Sequence, residues 1–274
     1  MNSRMPDHWI TVDRPAAEGG RIYVHVPRTC ASWAETGLAY WRGALSELEL
    51  VRRHDWGGRV ERGRAGPDDA LCYFKRFTPT SPRYLYKVQR ARHTVLHEER
   101  IRRLGFGAPE TVCLLERRRL GLVIESAVIS LAHPDAHKVS FVLNHNAGDL
   151  IRSIADKRML LRHVAEIVAR WHNAGLFHGD LHLGNLFCRK ANGSFEFFWL
   201  DNEEGRHYRK LPFRKRVHDL AHIVRQRHNI TITDRMRLWK VYAQTSDLSE
   251  HAQRRVLRAV TRKSRAFWKK KGWA

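Results

Sequence analysis

Two carboxylates and a carboxamide set the chemistry this chain could perform. The segment Phe177-His178-Gly179-Asp180-Leu181-His182-Leu183-Gly184-Asn185-Leu186-Phe187 crowds polar side chains between apolar anchors. Asp180 and Asn185 stand five residues apart, and a loop that curls brings side chains at that spacing to one point. The carboxylate can take the proton of a hydroxyl nucleophile, and the amide oxygen can ligate a hard cation such as Mg²⁺. Downstream, Phe197-Phe198-Trp199-Leu200 reads as a strand that leaves the core at Asp201. Asp201 follows Asp180 by 21 residues, the length of a short hairpin that would return it beside the loop. Asp180, Asn185 and Asp201 would then form a metal and phosphate site.

Several elements must hold these residues. Asp149 to Gly175 reads as a helix, with Leu160, Leu161, Val164, Ile167, Val168 and Trp171 at helical spacing, and it delivers the chain to the loop. Leu186 to Cys188 and Phe195 to Leu200 read as a hairpin turning at Asn192-Gly193. From about Phe213 the chain is helical and basic. Upstream, Leu48, Leu50 and Val51 begin a strand, Gly57-Gly58 a turn, and Arg59 to Arg64 a second strand. Ala70-Leu71-Cys72-Tyr73-Phe74-Lys75-Arg76-Phe77 follows a strong turn and reads as an apolar strand carrying one notable lysine. Tyr84 to Leu104 is a helix stopped at Gly105. Thr111 to Leu115 and Leu120 to Ile124 read as strands joined by a turn at Glu116-Arg117-Arg118-Arg119, and Val128 to Ala136 as a connector. Residues 1–44 are irregular in pattern.

At 274 residues and 43% hydrophobic, the chain has enough apolar material for one domain or two lobes, which excludes global disorder. The 50 Lys and Arg against 28 Asp and Glu leave a net charge of +22, which favours anionic partners, whether nucleic acid, nucleotide phosphates or an anionic membrane surface, without choosing among them. No interleaving of basic and aromatic residues supports nucleic acid. Cys30, Cys72, Cys113 and Cys188 lie far apart with no Cys-x-x-Cys pair, which speaks against a zinc ribbon or disulfide scaffold and for a reducing compartment. Met1 to Asp13 lacks a signal-peptide apolar core, and no stretch approaches the ~20 apolar residues of a membrane span. A cytoplasmic protein, able to lie peripheral to a membrane, is expected.

The pattern His-x-Asp-x-x-x-x-Asn followed by a strand-terminal Asp resembles the protein-kinase catalytic loop and its metal-binding Asp. His178-Gly179-Asp180-Leu181-His182 with Asn185, and Leu200-Asp201-Asn202-Glu203, are similar to the Kdo/WaaP-type lipopolysaccharide kinases. So are Arg216-Val217-His218-Asp219-Leu220-Ala221 and the stretch from Thr233-Asp234-Arg235-Met236-Arg237 to Tyr242. The resemblance spans residues 45–245. It implies an α+β, bilobal protein-kinase-like fold. Residues 1–44 would be an N-terminal extension and 45–127 an N-lobe of antiparallel sheet plus one helix. Residues 128–274 would be a mainly helical C-lobe with the catalytic loop and a basic C-terminal helix.

The resemblance also implies roles. Asp180 would be the base or orienting carboxylate for a sugar hydroxyl, Asn185 and Asp201 would hold Mg²⁺, and Lys75 would reach the α- and β-phosphates of ATP. His182 takes the place where protein kinases often carry a Lys near the transferred phosphate. Two departures stand out. No Gly-x-Gly-x-x-Gly precedes Lys75, so Gly57 and Gly58, or Gly63 and Gly66, must cover the phosphates. Thr94 occupies the usual place of the acidic partner of Lys75; Glu98 lies one turn on and is favoured over the adjacent Glu99.

The implied activity is ATP-dependent phosphorylation of a sugar hydroxyl, on a heptose or Kdo of the lipopolysaccharide inner core. Rivals are a kinase-like phosphotransferase for another small molecule or for protein Ser/Thr, and a non-catalytic basic pseudokinase binding membrane or nucleic acid. His178, Asp180 and His182 could instead be metal ligands, because Gly179-Asp180-Leu181-His182 is also similar to a metallophosphoesterase loop. That class needs an upstream Asp-x-His, which Asp135-Ala136-His137 supplies, and a downstream Gly-Asn-His that is absent. Asp219 reads equally as a helix cap or a brace for the loop. The basic stretch Arg254 to Lys271, with Val256, Leu257, Val260, Phe267 and Trp268, reads either as a helix packed on the C-lobe or as an interfacial helix drawn to anionic lipid.

Overall fold

The computed structural model describes residues 5–225 and 230–272. The helical reading of residues 226–229 lies outside them. The chain divides into two compact units, Met1–Arg100 with Pro109–Pro134, and Ile101–Ala108 with Asp135–Ala274.

The first unit is an antiparallel sheet with a helix on each face. In chain order it contains β1 (Trp9–Pro15), β2 (Arg21–Pro27), α1 (Trp33–Trp41), β3 (Glu49–Arg53), β4 (Gly58–Ala65) and β5 (Ala70–Phe77). Then come α2 (Leu85–Arg103), β6 (Glu110–Arg119) and β7 (Leu122–Leu131). The seven strands run β1-β2-β6-β7-β5-β4-β3. Alternation along the strands sorts the side chains between two cores. Cys72 and Phe74 pack with Trp33, Leu38 and Tyr40 on the α1 side. Phe77 packs with Val88, Ala91 and Val95 on the α2 side.

The irregular-looking stretch up to residue 44 therefore holds two strands and a helix. Its apolar alternation, Ile10 and Val12, then Ile22, Val24 and Val26, is too short in each run to stand out. The turn expected at Glu116 to Arg119 is strand. The β6–β7 turn lies at Leu120-Gly121, both with positive φ (49° and 78°), as a two-residue hairpin requires. The charges of β6 are tolerated because they are paired: Glu116 with Arg92 and Arg118, and Arg117 with Glu125 at 3.1 Å. The expected connector from Val128 is likewise strand as far as Leu131.

The second unit is mainly helical. It contains β8 (His137–Lys138), α3 (Val139–His145), α4 (Ile154–Asn173), β9 (Leu176–Phe177), β10 (Leu186–Ala191), β11 (Ser194–Trp199) and β12 (Arg206–His207). Helices α5 (Phe213–Val224), α6 (Ile232–Thr245) and α7 (Glu250–Lys270) complete it. The helix expected from Asp149 starts later, where Ser153 caps α4 by accepting the Asp156 N–H at 3.1 Å. Leu160, Leu161, Val164, Val168 and Trp171 of α4 form the centre of the core. Trp171 stacks on Trp199 of β11 at 4.1 Å, which fixes the strand that leads to Asp201 against the helix that leads to the loop. Strand β10 pairs with both β11 and β8, and β9 pairs with β12. Among the described residues, no helix is long and apolar enough to cross a membrane.

Candidate active site

The loop between β9 and β10 is braced from beneath by α5. The buried carboxylate of Asp219 accepts the backbone N–H of His178 at 2.9 Å on one oxygen and that of Gly179 at 3.0 Å on the other. Asp219 lies in the middle of α5, so it is a brace and not a helix cap. Burial alone would raise its carboxyl, but the imidazoles of His172 and His218 hold it well below the usual carboxylate range. A polar chain stands behind it. Buried Arg216 donates to the Tyr242 hydroxyl at 2.8 Å, Tyr242 meets His172 Nδ1 at 2.9 Å, and His172 Nε2 lies 3.6 Å from Asp219. Gly179 has φ 91°, and a Cβ there would sit 2.6 Å from Glu204 Cβ, so the loop admits only glycine at this point.

His178 is fully buried, and burial lowers its pKa. Its Nε2–H donates to the Leu200 carbonyl at 2.9 Å, and its Nδ1 accepts the Asp180 N–H at 3.3 Å. With both ring nitrogens committed to backbone, His178 is scaffolding, and the metallophosphoesterase-like reading loses a ligand.

Asp180 keeps about half of its side chain exposed (48%). The first cause of its lowered pKa is a hydrogen bond from His222, which outweighs partial burial, so the carboxylate is ionised and able to accept a proton. Asn185 Nδ2 donates to the Asp180 carbonyl at 3.0 Å and approaches Oδ2 at 3.4 Å, which leaves the amide oxygen for a cation. Leu200 N–H donates to the Asn185 carbonyl at 2.9 Å. Both polar groups of the Leu200 peptide are thus spent on the loop, one on Asn185 and one on His178, and the next residue, Asp201, is delivered beside it. Asp201 is exposed and left-handed, with φ 58° and ψ 51°. A non-glycine residue held there turns the chain sharply at the strand end.

Asn185 and Asp201 could each offer one oxygen to a Mg²⁺ ion whose octahedron phosphate oxygens and water would complete. Among the described residues no group of three or more His, Cys, Asp or Glu forms a protein-only metal cage.

Within the first unit, Lys75 lies on β5 opposite Val60 and Val128 and, two residues from Phe77, shares its α2-facing side. Its Nζ lies 5.1 Å from the centre of the Phe77 ring. Glu98 is buried and continues the Val88, Ala91, Val95 seam of α2 that faces the same side of the sheet. The adjacent Glu99 accepts from Trp9 Nε1 at 3.1 Å and meets His8 Nε2 at 2.7 Å. The Thr94 hydroxyl donates to the Arg90 carbonyl within the helix. Gly57 is required by close packing: φ is 96°, and a Cβ would fall 1.8 Å from the Thr78 carbonyl oxygen. Gly58 makes room for the Trp56 ring, which stacks on Phe77 at 5.6 Å.

The sequence reasoning missed His222. Its Nδ1 lies 3.2 Å from Asp180 Oδ1, and its ring stacks on that of His218 at 4.4 Å. The available signal was its place one turn after Asp219 on the same face of α5.

A profile of the lipopolysaccharide kinase (Kdo/WaaP) family matches residues 89–242, more than half of the chain. Comparison with curated proteins gave no match. Among solved structures, one described as WaaP in complex with acyl carrier protein superposes with a TM-score of 0.61 at 17% identity, over 81% of this chain and 89% of that one. At that identity the likeness shows the fold, which is protein-kinase-like, with an antiparallel-sheet N-terminal part and a helical C-terminal part. By the profile match, which takes in the braced loop, Asp201 and the α5 and α6 residues behind them, the chain belongs to the lipopolysaccharide kinase (Kdo/WaaP) family.

Proposed function

We propose that the protein transfers the γ-phosphoryl group of ATP to a sugar hydroxyl of the lipopolysaccharide inner core, on a heptose or Kdo. The observation that carries this reading is the ionised, half-exposed carboxylate of Asp180 on a loop whose backbone is braced by Asp219. In the transfer, the bond from the γ-phosphorus to the β,γ-bridging oxygen breaks and a bond to the acceptor oxygen forms. The hydroxyl proton passes to Asp180, and ADP leaves. Such a transition state asks the protein for positioning and charge neutralisation more than for covalent chemistry. Asn185 and Asp201 would hold Mg²⁺, which when bound neutralises phosphate charge. Lys75, paired with Glu98, would bind the α- and β-phosphates, with the Gly57-Gly58 turn covering them.

The C-terminal helix fits a substrate at a lipid surface. In α7, Val256, Val260 and Ser264 are buried, while Arg254, Arg255, Arg258, Arg262, Arg265, Lys269 and Lys270 are exposed. Phe267 and Trp268 are also tied down, Phe267 under the Arg225 guanidinium and Trp268 by a bond to the Arg225 carbonyl. Of the apolar stripe, Val256, Val260, Phe267 and Trp268 serve packing while Leu257 stays exposed beside the basic face. That favours peripheral electrostatic attachment to the cytoplasmic side of the inner membrane over insertion.

The test is product mass after incubation with ATP, Mg²⁺ and defined inner-core acceptors. A gain of one phosphate is expected with the wild type and none with Asp180→Ala. Wild-type turnover by that variant would overturn the assignment, and a product formed only on another small molecule or on protein would move the acceptor.

A further inference from the structure

We propose that His222 is a positioning residue that fixes the Asp180 carboxylate, so that a defined oxygen meets the acceptor hydroxyl. The inference rests on the kinase reading above and adds a residue to it.

A half-exposed aspartate ordinarily turns about its last torsion, whose profile is broad and nearly two-fold. Asp180 is held instead on both oxygens. His222 Nδ1 stands 3.2 Å from Oδ1, while Asn185 Nδ2 lies 3.4 Å and His182 Nε2 3.7 Å from Oδ2. An ionised carboxylate only accepts hydrogen bonds, so Nδ1 of His222 carries the proton and donates. The His222 ring has a place of its own. It is largely buried (21% exposed) and stacks on His218 at 4.4 Å and 28°. His218 in turn lies 3.8 Å from Asp219. One face of α5 therefore controls the loop twice, the backbone at 178 and 179 through Asp219 and the reactive side chain at 180 through His222.

Two variants separate the donor from the shape. His222→Phe keeps a stacked ring without the donor, and His222→Asn places an N–H near the position of Nδ1. In the phosphoryl-transfer assay, His222→Phe is expected to lower kcat about 10- to 100-fold, the scale of a small misplacement of a reacting group, with KM for ATP little changed. His222→Asn is expected to recover most of the loss. A His222→Phe enzyme with wild-type kcat, or a His222→Asn enzyme as slow as His222→Phe, would overturn the inference. ¹⁵N NMR of the wild-type protein gives a readout that needs neither activity nor a folded variant: the Nδ1–H tautomer of His222 is expected, and the Nε2–H tautomer would overturn the proposal. Absence of transfer by the wild type, with the Nδ1–H tautomer present, is a different result. It removes the kinase reading, and the catalytic role with it, while leaving the contact in place.

Discussion

Asp219 and Gly179 lie 40 residues apart in sequence and meet at 3.0 Å, carboxylate oxygen to backbone N–H. The second oxygen takes the His178 N–H, so one buried side chain defines the backbone just ahead of Asp180. Asp219→Ala removes the acceptor for both groups. An unsatisfied buried donor costs about 1–3 kcal/mol, so urea unfolding should show a loss of at least that size, together with a fall in phosphoryl transfer. Asp219→Asn keeps one acceptor oxygen and should lie between Ala and wild type in both measurements. An Ala variant as stable as wild type would contradict the brace.

Asp201 separates stability from chemistry in the opposite direction. Its left-handed backbone is costly for any residue with a Cβ, although less so for Asp and Asn than for others. Asp201→Gly should therefore leave thermal stability unchanged or raise it, by up to about 1 kcal/mol, while removing a proposed Mg²⁺ ligand. Asp201→Asn keeps the local geometry and should shift the Mg²⁺ dependence of transfer to higher concentration at unchanged Tm. If Asp201→Asn instead lowers Tm with no change in the Mg²⁺ dependence of the folded enzyme, the residue is structural only.

The loop was legible because its polar residues are contiguous and their spacing is itself the signal. The strand that carries Lys75 was legible because a strong turn and an apolar run frame it. His222 was not, since a single histidine on a basic helix looks like many others until folding brings it to Asp180, 42 residues away. The two readings of Asp219 could not be separated either, because the start of α5 is set by Pro212 and not by an acidic cap. The β6–β7 turn was misplaced for an electrostatic reason. Four consecutive charged residues look like solvent-exposed chain, and only the fold supplies the partners that let Glu116 be buried within a strand.

Glu116 makes stability depend on pH. Burial alone would raise its pKa, but His25, Arg92 and Arg118 bring it down to about 2 from the ordinary 4.5. A carboxyl with a depressed folded pKa stabilises fully above the unfolded value, and that stabilisation is lost as pH falls through the folded one. Glu116 should thus contribute on the order of 3 kcal/mol at neutral pH, declining from about pH 4.5 toward pH 2. Glu116→Gln should lose a similar amount near neutrality, and its unfolding free energy should converge on that of wild type across that acid window. A constant gap at every pH would mean that the carboxyl's charge is not what the arginines hold.

The proposed pairing of Lys75 with Glu98 can be tested against Glu99, because both acids are buried on α2. Lys75 shares the α2-facing side of β5 with Phe77, Glu98 continues the Val88, Ala91, Val95 seam of α2 that packs there, and Glu99 meets Trp9 and His8. If Glu98 orients Lys75 toward ATP, Lys75→Met and Glu98→Gln should each lower kcat/KM for ATP by about 10²-fold, the usual cost of one preorganised electrostatic contact. The double variant should be scarcely worse than either single one, because each has already broken the same unit. Glu99→Gln should instead lower thermal stability and leave kcat/KM within a few-fold of wild type. The opposite ranking, with Glu99→Gln the slow enzyme and Glu98→Gln additive with Lys75→Met, would transfer the pairing to Glu99.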